Sequence, residues 1–204
     1  NMQTLDFYES ENLLGPGDCA EYNGSGGLAY TDELPQADWN EGDPVRLIDL
    51  WGFSESQETV GVGPDQFAEF ILPYQVPLME RFGLNYYGCC EPVDSRFDLL
   101  KAHVPRLRAL SVSPWSDVDV MAEKLGRNYV YCRKPNPAPL SVGFNERALR
   151  EDLQNTLRAA GGLNLAIIMK DTHTVQNEPD RISKWIELAY EEVERYMSGE
   201  KVAG

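Results

Sequence analysis

Residues 84–126 read LNYYGCCEPVDSRFDLLKAHVPRLRALSVSPWSDVDVMAEKLG and contain one pattern twice: a short apolar segment, a polar turn and an amphipathic helical segment. The second helical segment is predicted to follow Ser116 as its N-cap and to end at Gly126, since glycine readily adopts the left-handed conformation that ends helices. The first is predicted from apolar residues at helical spacing, namely Phe97, Leu100, Val104 and Leu107. Each repeat therefore predicts a β-strand followed by an α-helix.

The pattern continues toward the C-terminus. Residues 129–132 predict a third strand, which is followed by a proline-rich loop and by a helix that Asn145 caps and Gly161 ends. Residues 163–169 form the most apolar segment and predict a buried fourth strand, whose helix begins near Pro179. The buried face of that last helix is predicted to consist of Ile182, Trp185, Ile186, Ala189 and Val193.

The chain before these repeats has a different composition. Residues 12–44 are rich in glycine, proline, asparagine and acidic residues, and residues 27–30 and 46–50 are possible short strands. Helical spacing then extends from Phe67 to Leu78, with Pro73 and Pro77 expected to kink or break the helix. We predict a loop-rich segment over residues 1–61 and a βα-repeat region over residues 62–204.

The alternation of strands and helices predicts parallel strands joined by right-handed crossovers. The chain contains four clear βα units, or six if the two weak early segments count, whereas a complete (β/α) barrel has eight and takes ~250 residues. We therefore predict an α/β fold that is a partial TIM barrel. Because open sheet edges need a cover, we also expect a homo-oligomer or a partner chain that completes the barrel.

Composition limits the classes of partner. The formal net charge of −15 opposes binding to phosphate backbones and to anionic lipid, so nucleic acid and membrane surfaces are poor candidates. The longest apolar run, residues 163–169, is far shorter than the roughly 20 residues of a membrane-spanning helix. The first residues lack the pattern of a secretory signal, and four irregularly spaced cysteines do not form a disulfide framework. These features predict a cytoplasmic protein.

Polar side chains follow each predicted strand of the repeat region. In parallel α/β folds these positions form the functional edge of the sheet. The four strands are followed, in chain order, by residues 88–92 (GCCEP), 113–115 (SPW), 133–137 (RKPNP) and 170–174 (KDTHT). The sequence therefore predicts one site that contains thiols, carboxylates, cations and an imidazole.

Thiolate and imidazole are common zinc ligands, so Cys89, Cys90 and His173 are the candidate metal ligands, while burial as apolar residues is the alternative for the two thiols. The candidate catalytic residues are His173, as general acid or base, with the carboxylates Glu91 and Asp171. Candidate substrate-binding residues comprise cations for an anionic group, aromatic side chains for a flat ring, and one amide: Arg133, Lys134, Lys170, Trp115, Tyr87 and Asn136.

Four segments together resemble a known family. Residues 82–92, 111–115, 133–137 and 168–174 are similar to bacterial proteins described as uroporphyrinogen-III decarboxylase-like, and residues 26–34 and 49–52 extend the similarity. These proteins belong to a superfamily with the corrinoid (methylcobamide) methyltransferases and have a barrel of the methionine synthase-like type. The resemblance covers most of this chain and corresponds to the C-terminal half of that barrel. The barrel of these proteins is about twice as long as this chain.

The resemblance implies zinc-dependent methyl transfer involving a corrinoid or a thiol acceptor. Tyr87-Gly88-Cys89 stands where the methyltransferases have a zinc-binding His-x-Cys, and His173 stands where they have a final cysteine. The partners it implies are a small-molecule substrate or a corrinoid protein. Two alternatives are decarboxylase-like activity on a tetrapyrrole or small carboxylic acid, with His173 as proton donor and no metal, and a non-catalytic half-barrel that acts as an oligomer or subunit.

Overall fold

The computed structural model describes residues 1–15 and 30–199. The chain divides into two compact units, Asn1–Ser111 and Val112–Gly204. The change in composition near Val62 falls inside the first unit, and the division predicted there stays a prediction about sequence organisation. The possible strand at residues 27–30 lies almost wholly outside the described residues.

Five strands are present in the described residues, and they form a sheet in the order β1-β2-β3-β4-β5. Pairing is parallel between β1 and β2, between β2 and β3, and between β4 and β5. This arrangement confirms an α/β fold with a parallel sheet, and it is compatible with part of a (β/α) barrel. The strands are β1 (Trp51–Ser54), β2 (Leu84–Tyr87), β3 (Leu107–Val112), β4 (Val130–Arg133) and β5 (Asn164–Ile167).

Helices separate the strands of the first unit. After α1 (Met2–Ser10), the segment between β1 and β2 contains α2 (Pro64–Phe70) and α3 (Leu72–Met79), and α4 (Phe97–His103) connects β2 to β3. The predicted break is confirmed, because the chain passes from α2 to α3 at Ile71, just before Pro73, while Pro77 remains inside α3. The prediction that Leu107 belongs to the helix after β2 is wrong, since this helix, α4, ends before Pro105 and Leu107 begins β3.

The second predicted early strand, residues 46–50, is also wrong. Residues Leu47–Asp49 form a 3-10 helix, and the strand β1 begins only at Trp51. Side-chain hydrogen bonds explain the difference: the carboxylate of Asp49 accepts hydrogen bonds from the backbone N–H groups of Arg46 and Gln36. The neighbouring Arg46 guanidinium lowers the pKa of Asp49, so the turn carries a stable ion pair.

In the second unit, α5 (Val118–Leu125) follows β3, a short helix α6 (Ala138–Ser141) and α7 (Glu146–Ala160) follow β4, and α8 (Asp180–Met197) follows β5. The end of α5 at Gly126, with φ +50°, is confirmed, as is Asn145 as the N-cap of α7. Ser116 was the wrong N-cap for α5. Asp117 caps this helix because its carboxylate accepts the N–H groups of Asp119 and Val120.

The apolar stripe predicted for α8 is largely exposed. Ile182, Ile186 and Val193 are exposed, while the helix buries Trp185, Leu188 and the carboxylate Glu192. Glu192 is buried because it accepts hydrogen bonds from Arg150 and Gln154 on α7. The prediction of a buried β5 is also wrong: its Asn164 is exposed and its other residues are half-buried.

An open apolar groove results, with a cavity volume of about 610 Å³. It lies within the second unit, between β5 and α8, and its lining includes Leu165, Ile167, Ile186, Tyr190 and Val193.

No helix in the described part of the chain is long and apolar enough to cross a membrane.

Candidate functional site

In the first unit, β2 ends in a tight turn that only glycine fits. Gly88 has φ +99°, a conformation that side chains rarely adopt. A Cβ atom built on Gly88 would lie 3.0 Å from Cβ of Ser111 on β3 and 3.3 Å from Cγ1 of Val93. The turn therefore approaches β3 closely, and it directs the two following cysteines beyond the end of the strand.

Cys89 and Cys90 place their sulfur atoms side by side at this turn. The two Sγ atoms are 3.6 Å apart, neither thiol is in a disulfide, and both residues are half-buried. Cys132, in contrast, is a buried residue of β4. The adjacent pair is thus a partly accessible dithiol, and the alternative of two fully buried apolar cysteines does not describe it.

Glu91 fixes the position of the dithiol. One carboxylate oxygen of this buried residue accepts the N–H of Ser56 at 2.8 Å, and the other accepts the N–H of Cys89 at 2.8 Å. The hydroxyl of Ser111 donates to the carbonyl oxygen of Cys89 at 2.5 Å. Both backbone groups of Cys89 are therefore held, and the catalytic role of Glu91 stays a prediction.

Glu55 belongs to the same strand ends and was missed by sequence reasoning. It directly follows β1, and because Ser54 pairs with Tyr87, it lies next to the turn that begins at Gly88. Burial raises the pKa of Glu55, and the nearby charges of Glu91 and Glu58 raise it further. The correct position of β1 would have revealed this residue, but the strand was predicted five residues too early.

Tyr87 is fully enclosed and offers no ring surface to a substrate. Its hydroxyl donates to Oε1 of Gln75 at 2.8 Å, and Nε2 of Gln75 donates to the carbonyl oxygen of Glu55 at 2.7 Å. Burial raises the pKa of Tyr87, so the phenol stays protonated. Through Gln75, the hydroxyl of Tyr87 is thus connected to the backbone of Glu55, the residue that follows β1.

In the second unit, Arg133 is a buried connector. Its guanidinium donates to the carbonyl oxygen of Ser113 at 2.7 Å, to Oγ1 of Thr156 at 3.2 Å and to the carboxylate of Asp152 at 2.7 Å. Lys134 is buried beside it, and its backbone N–H donates to the carbonyl oxygen of Val112. The Arg133 side chain is therefore occupied in joining β3, β4 and α7.

The remaining predicted site residues of this unit are more accessible. Trp115 follows β3 and its side chain is 73% exposed. Asn136 accepts the N–H of Ala138 through its side-chain oxygen, which starts α6. Lys170 and Asp171 form an ion pair at 3.4 Å, and His173 is exposed in the same loop, where its backbone N–H donates to the carbonyl oxygen of Asp171.

The first unit thus brings together Tyr87, Cys89, Cys90 and Glu91, and the second brings together Lys170, Asp171 and His173. Two thiolates bound to one tetrahedral zinc ion at a bond length of about 2.3 Å lie about 3.8 Å apart, close to the observed separation of the sulfur atoms. Within residues 1–15 and 30–199, no three His, Cys, Asp or Glu side chains are grouped so that they hold a metal ion. The dithiol therefore fits two corners of a zinc site, and the ligand role of His173 stays a prediction.

Comparison with known proteins gives no family. No protein-family model, no curated protein and no solved structure matches this chain.

Proposed function

We propose that this chain supports methyl transfer to a thiol acceptor, as its resemblance to the corrinoid methyltransferase superfamily implies, with Cys89 and Cys90 as protein ligands of zinc. The observation that supports the proposal is the pair of half-buried cysteines at the end of β2, whose sulfur atoms lie 3.6 Å apart. When bound, zinc supplies Lewis acidity that lowers the pKa of an acceptor thiol.

The surrounding residues hold the backbone at the first thiol. Glu91 and Ser111 bind the N–H and the carbonyl oxygen of Cys89, so this part of the turn is ordered before a ligand binds. Glu55 follows β1 beside this turn and has a raised pKa, and it is our candidate for exchanging a proton with a bound thiol. In the second unit, the exposed indole of Trp115 offers a flat surface for a planar ring, and Lys170 and His173 offer cationic and hydrogen-bonding groups.

A second copy of this chain is the partner that we assign to the groove between β5 and α8. The groove exposes Ile186, Tyr190 and Val193, and β5 is the last strand in the order of the sheet. Exposed apolar side chains beside an edge strand favour association. A corrinoid protein that occupies the same face is the competing outcome.

Metal content and methyl transfer test the proposed function together. The purified chain is loaded with zinc, dialysed and measured by plasma mass spectrometry, and methyl transfer from methylcobalamin to a small thiol is followed by absorbance. We expect about one zinc per chain, lost in Cys89→Ser and in Cys90→Ser and retained in Cys132→Ala, which removes a thiol elsewhere.

Two other outcomes would favour the alternatives. A wild-type chain that binds no zinc and transfers no methyl group contradicts the proposal. If His173→Ala then abolishes decarboxylation of a tetrapyrrole carboxylate, the decarboxylase alternative gains support. If no substrate is turned over, the non-catalytic alternative gains support instead.

A further inference from the structure

The Cys89–Cys90 sulfur atoms are spaced for a shared bridging atom and not for a bond to each other. Their separation of 3.6 Å exceeds the disulfide bond length of about 2.05 Å by a wide margin. The Cα atoms of adjacent residues lie about 3.8 Å apart, which is below the usual disulfide range of about 4.4–6.8 Å. Closing a disulfide here would strain the turn, whereas one thiophilic atom between the two sulfurs would not.

We propose that this dithiol is a binding site for monosubstituted trivalent arsenicals. Such a ligand, R–As(OH)₂, has two exchangeable hydroxyl groups on one soft atom. Each thiol forms one As–S bond, its proton leaves with a hydroxyl group as water, and the product is R–As(S–Cys89)(S–Cys90) with two waters released. Arsenic remains trivalent throughout, so the reaction requires no oxidant or reductant.

The number of donors at the site favours this class of ligand. Among the described residues, two thiols converge at the turn, and no third His, Cys, Asp or Glu there completes a group of metal-ligand type. Zinc takes about four ligands and therefore needs two donors besides this dithiol, whereas a monosubstituted arsenical is satisfied by the two thiolates. The site therefore satisfies the arsenical completely with protein atoms alone.

The charge of the surroundings favours a neutral ligand. Glu55 and Glu91 lie just after β1 and β2, Glu58 lies in the 3-10 helix Gln57–Thr59, and the whole chain carries a formal net charge of −15. This field repels anionic thiol reagents but does not act on a neutral arsenical. Both cysteines are half-buried residues, and neither is enclosed in the core.

The rigidity of the turn strengthens chelation. Gly88 lies so close to β3 that an added Cβ would meet Ser111, and the backbone of Cys89 is tied by its N–H to Glu91 and by its carbonyl oxygen to Ser111. The second As–S bond forms within one molecule, and such intramolecular steps raise affinity by a factor on the order of 10²–10⁴. A variant with one thiol is expected to bind on the order of 10²-fold more weakly.

The test uses phenylarsine oxide, in water the source of phenyl-As(OH)₂, on the whole chain after zinc is removed by a chelator. Intact-mass spectrometry should show one phenylarsenic per wild-type chain and per Cys132→Ala chain. Cys89→Ser and Cys90→Ser should each lose the adduct at the same concentration, and thermal melting confirms that these variants are folded. Excess 2,3-dimercaptopropanol should remove the arsenical, while the same concentration of a monothiol should not.

A second measurement on the wild-type chain avoids dependence on the variants. Bound arsenical should protect both Cys89 and Cys90 from iodoacetamide, as read by peptide mapping, and should leave the labelling of Cys132 unchanged. An adduct that persists in the serine variants, or a wild-type chain that binds no arsenical, overturns the inference. Because zinc and methyl donor are absent, this outcome does not depend on the proposed methyl transfer.

Discussion

At the scale of single residues, Glu91 connects two strand ends through one carboxylate. Replacing it by alanine leaves the buried N–H of Ser56 and the half-buried N–H of Cys89 without their acceptor. Each buried donor left unpaired costs about 1–3 kcal/mol, so we expect Glu91→Ala to lower the free energy of unfolding by roughly 2–4 kcal/mol. Urea denaturation measures the loss. Glu58→Ala, at an exposed position, should change stability by less than about 0.5 kcal/mol.

Glu55 makes a prediction about pH at the same scale. Its pKa in the folded chain lies above the ordinary value of 4.5, so the folded state holds its proton more tightly than the unfolded state. Stability is then lost as pH rises through the interval between the two pKa values. We expect Glu55→Gln to melt at a higher temperature than wild type at pH 7 and at the same temperature near pH 4. An equal difference at both values of pH would contradict this cause.

At the scale of elements, Arg133 ties β3 and β4 to α7. Arg133→Leu removes the donor of Asp152 and frees the carbonyl oxygen of Ser113, and we expect a loss of about 3 kcal/mol in the free energy of unfolding. The matched change is Arg147→Leu, because Arg147 pairs with Glu151 on the exposed face of α7. That surface pair should contribute less than about 1 kcal/mol. Similar losses in the two variants would show that the buried connections of Arg133 do not stabilise the fold.

Local signals predicted the elements well where side chains act on their own backbone. The strand at residues 84–87, the Asn145 cap and the stop at Gly126 depend on neighbours within a few positions, and all are confirmed. Strand β1 escaped prediction because its four residues include Gly52 and Ser54 and form no apolar run. Glu55 was missed as a consequence.

The sequence could not show which face of α8 is buried, and the reason is a different one. Helical spacing shows that a stripe exists, but it does not show which neighbour covers it. The buried face includes Glu192, whose charge predicts exposure until Arg150 on α7 is known to pair with it. The candidate site shows the same limit: residue types at strand ends identified the thiols, whereas the separation of their sulfur atoms and the bonds of Glu91 come from contacts distant in sequence.

At the scale of the whole molecule, the groove and the net charge make opposing contributions to self-association. Two copies that each carry −15 repel one another, so we expect dimer formation through the groove to strengthen as salt screens the charges. Sedimentation velocity at low and at high ionic strength measures the fraction of dimer. Tyr190→Asp should favour the monomer at both, because Tyr190 lines the groove and is 68% exposed.

The control for this prediction is Tyr74→Asp. Tyr74 is 75% exposed on α3 in the first unit and does not line the groove. Tyr74→Asp removes the same aromatic ring and adds the same negative charge as Tyr190→Asp. If both variants associate to the same extent as wild type, or if the wild-type chain stays monomeric at high salt, a second copy does not occupy the groove.

The bond from Ser56 to Glu91 joins residues 35 positions apart, and it determines what can be transplanted. A synthetic peptide with residues 84–92 contains both thiols and the carboxylate, but it lacks Ser56, and it lacks the hydroxyl of Ser111. In such a peptide the sulfur atoms would sample many separations. Transferring this dithiol to another scaffold therefore requires residues 51–112, three strands with their helices. Residues 88–91 (GCCE) alone are not enough.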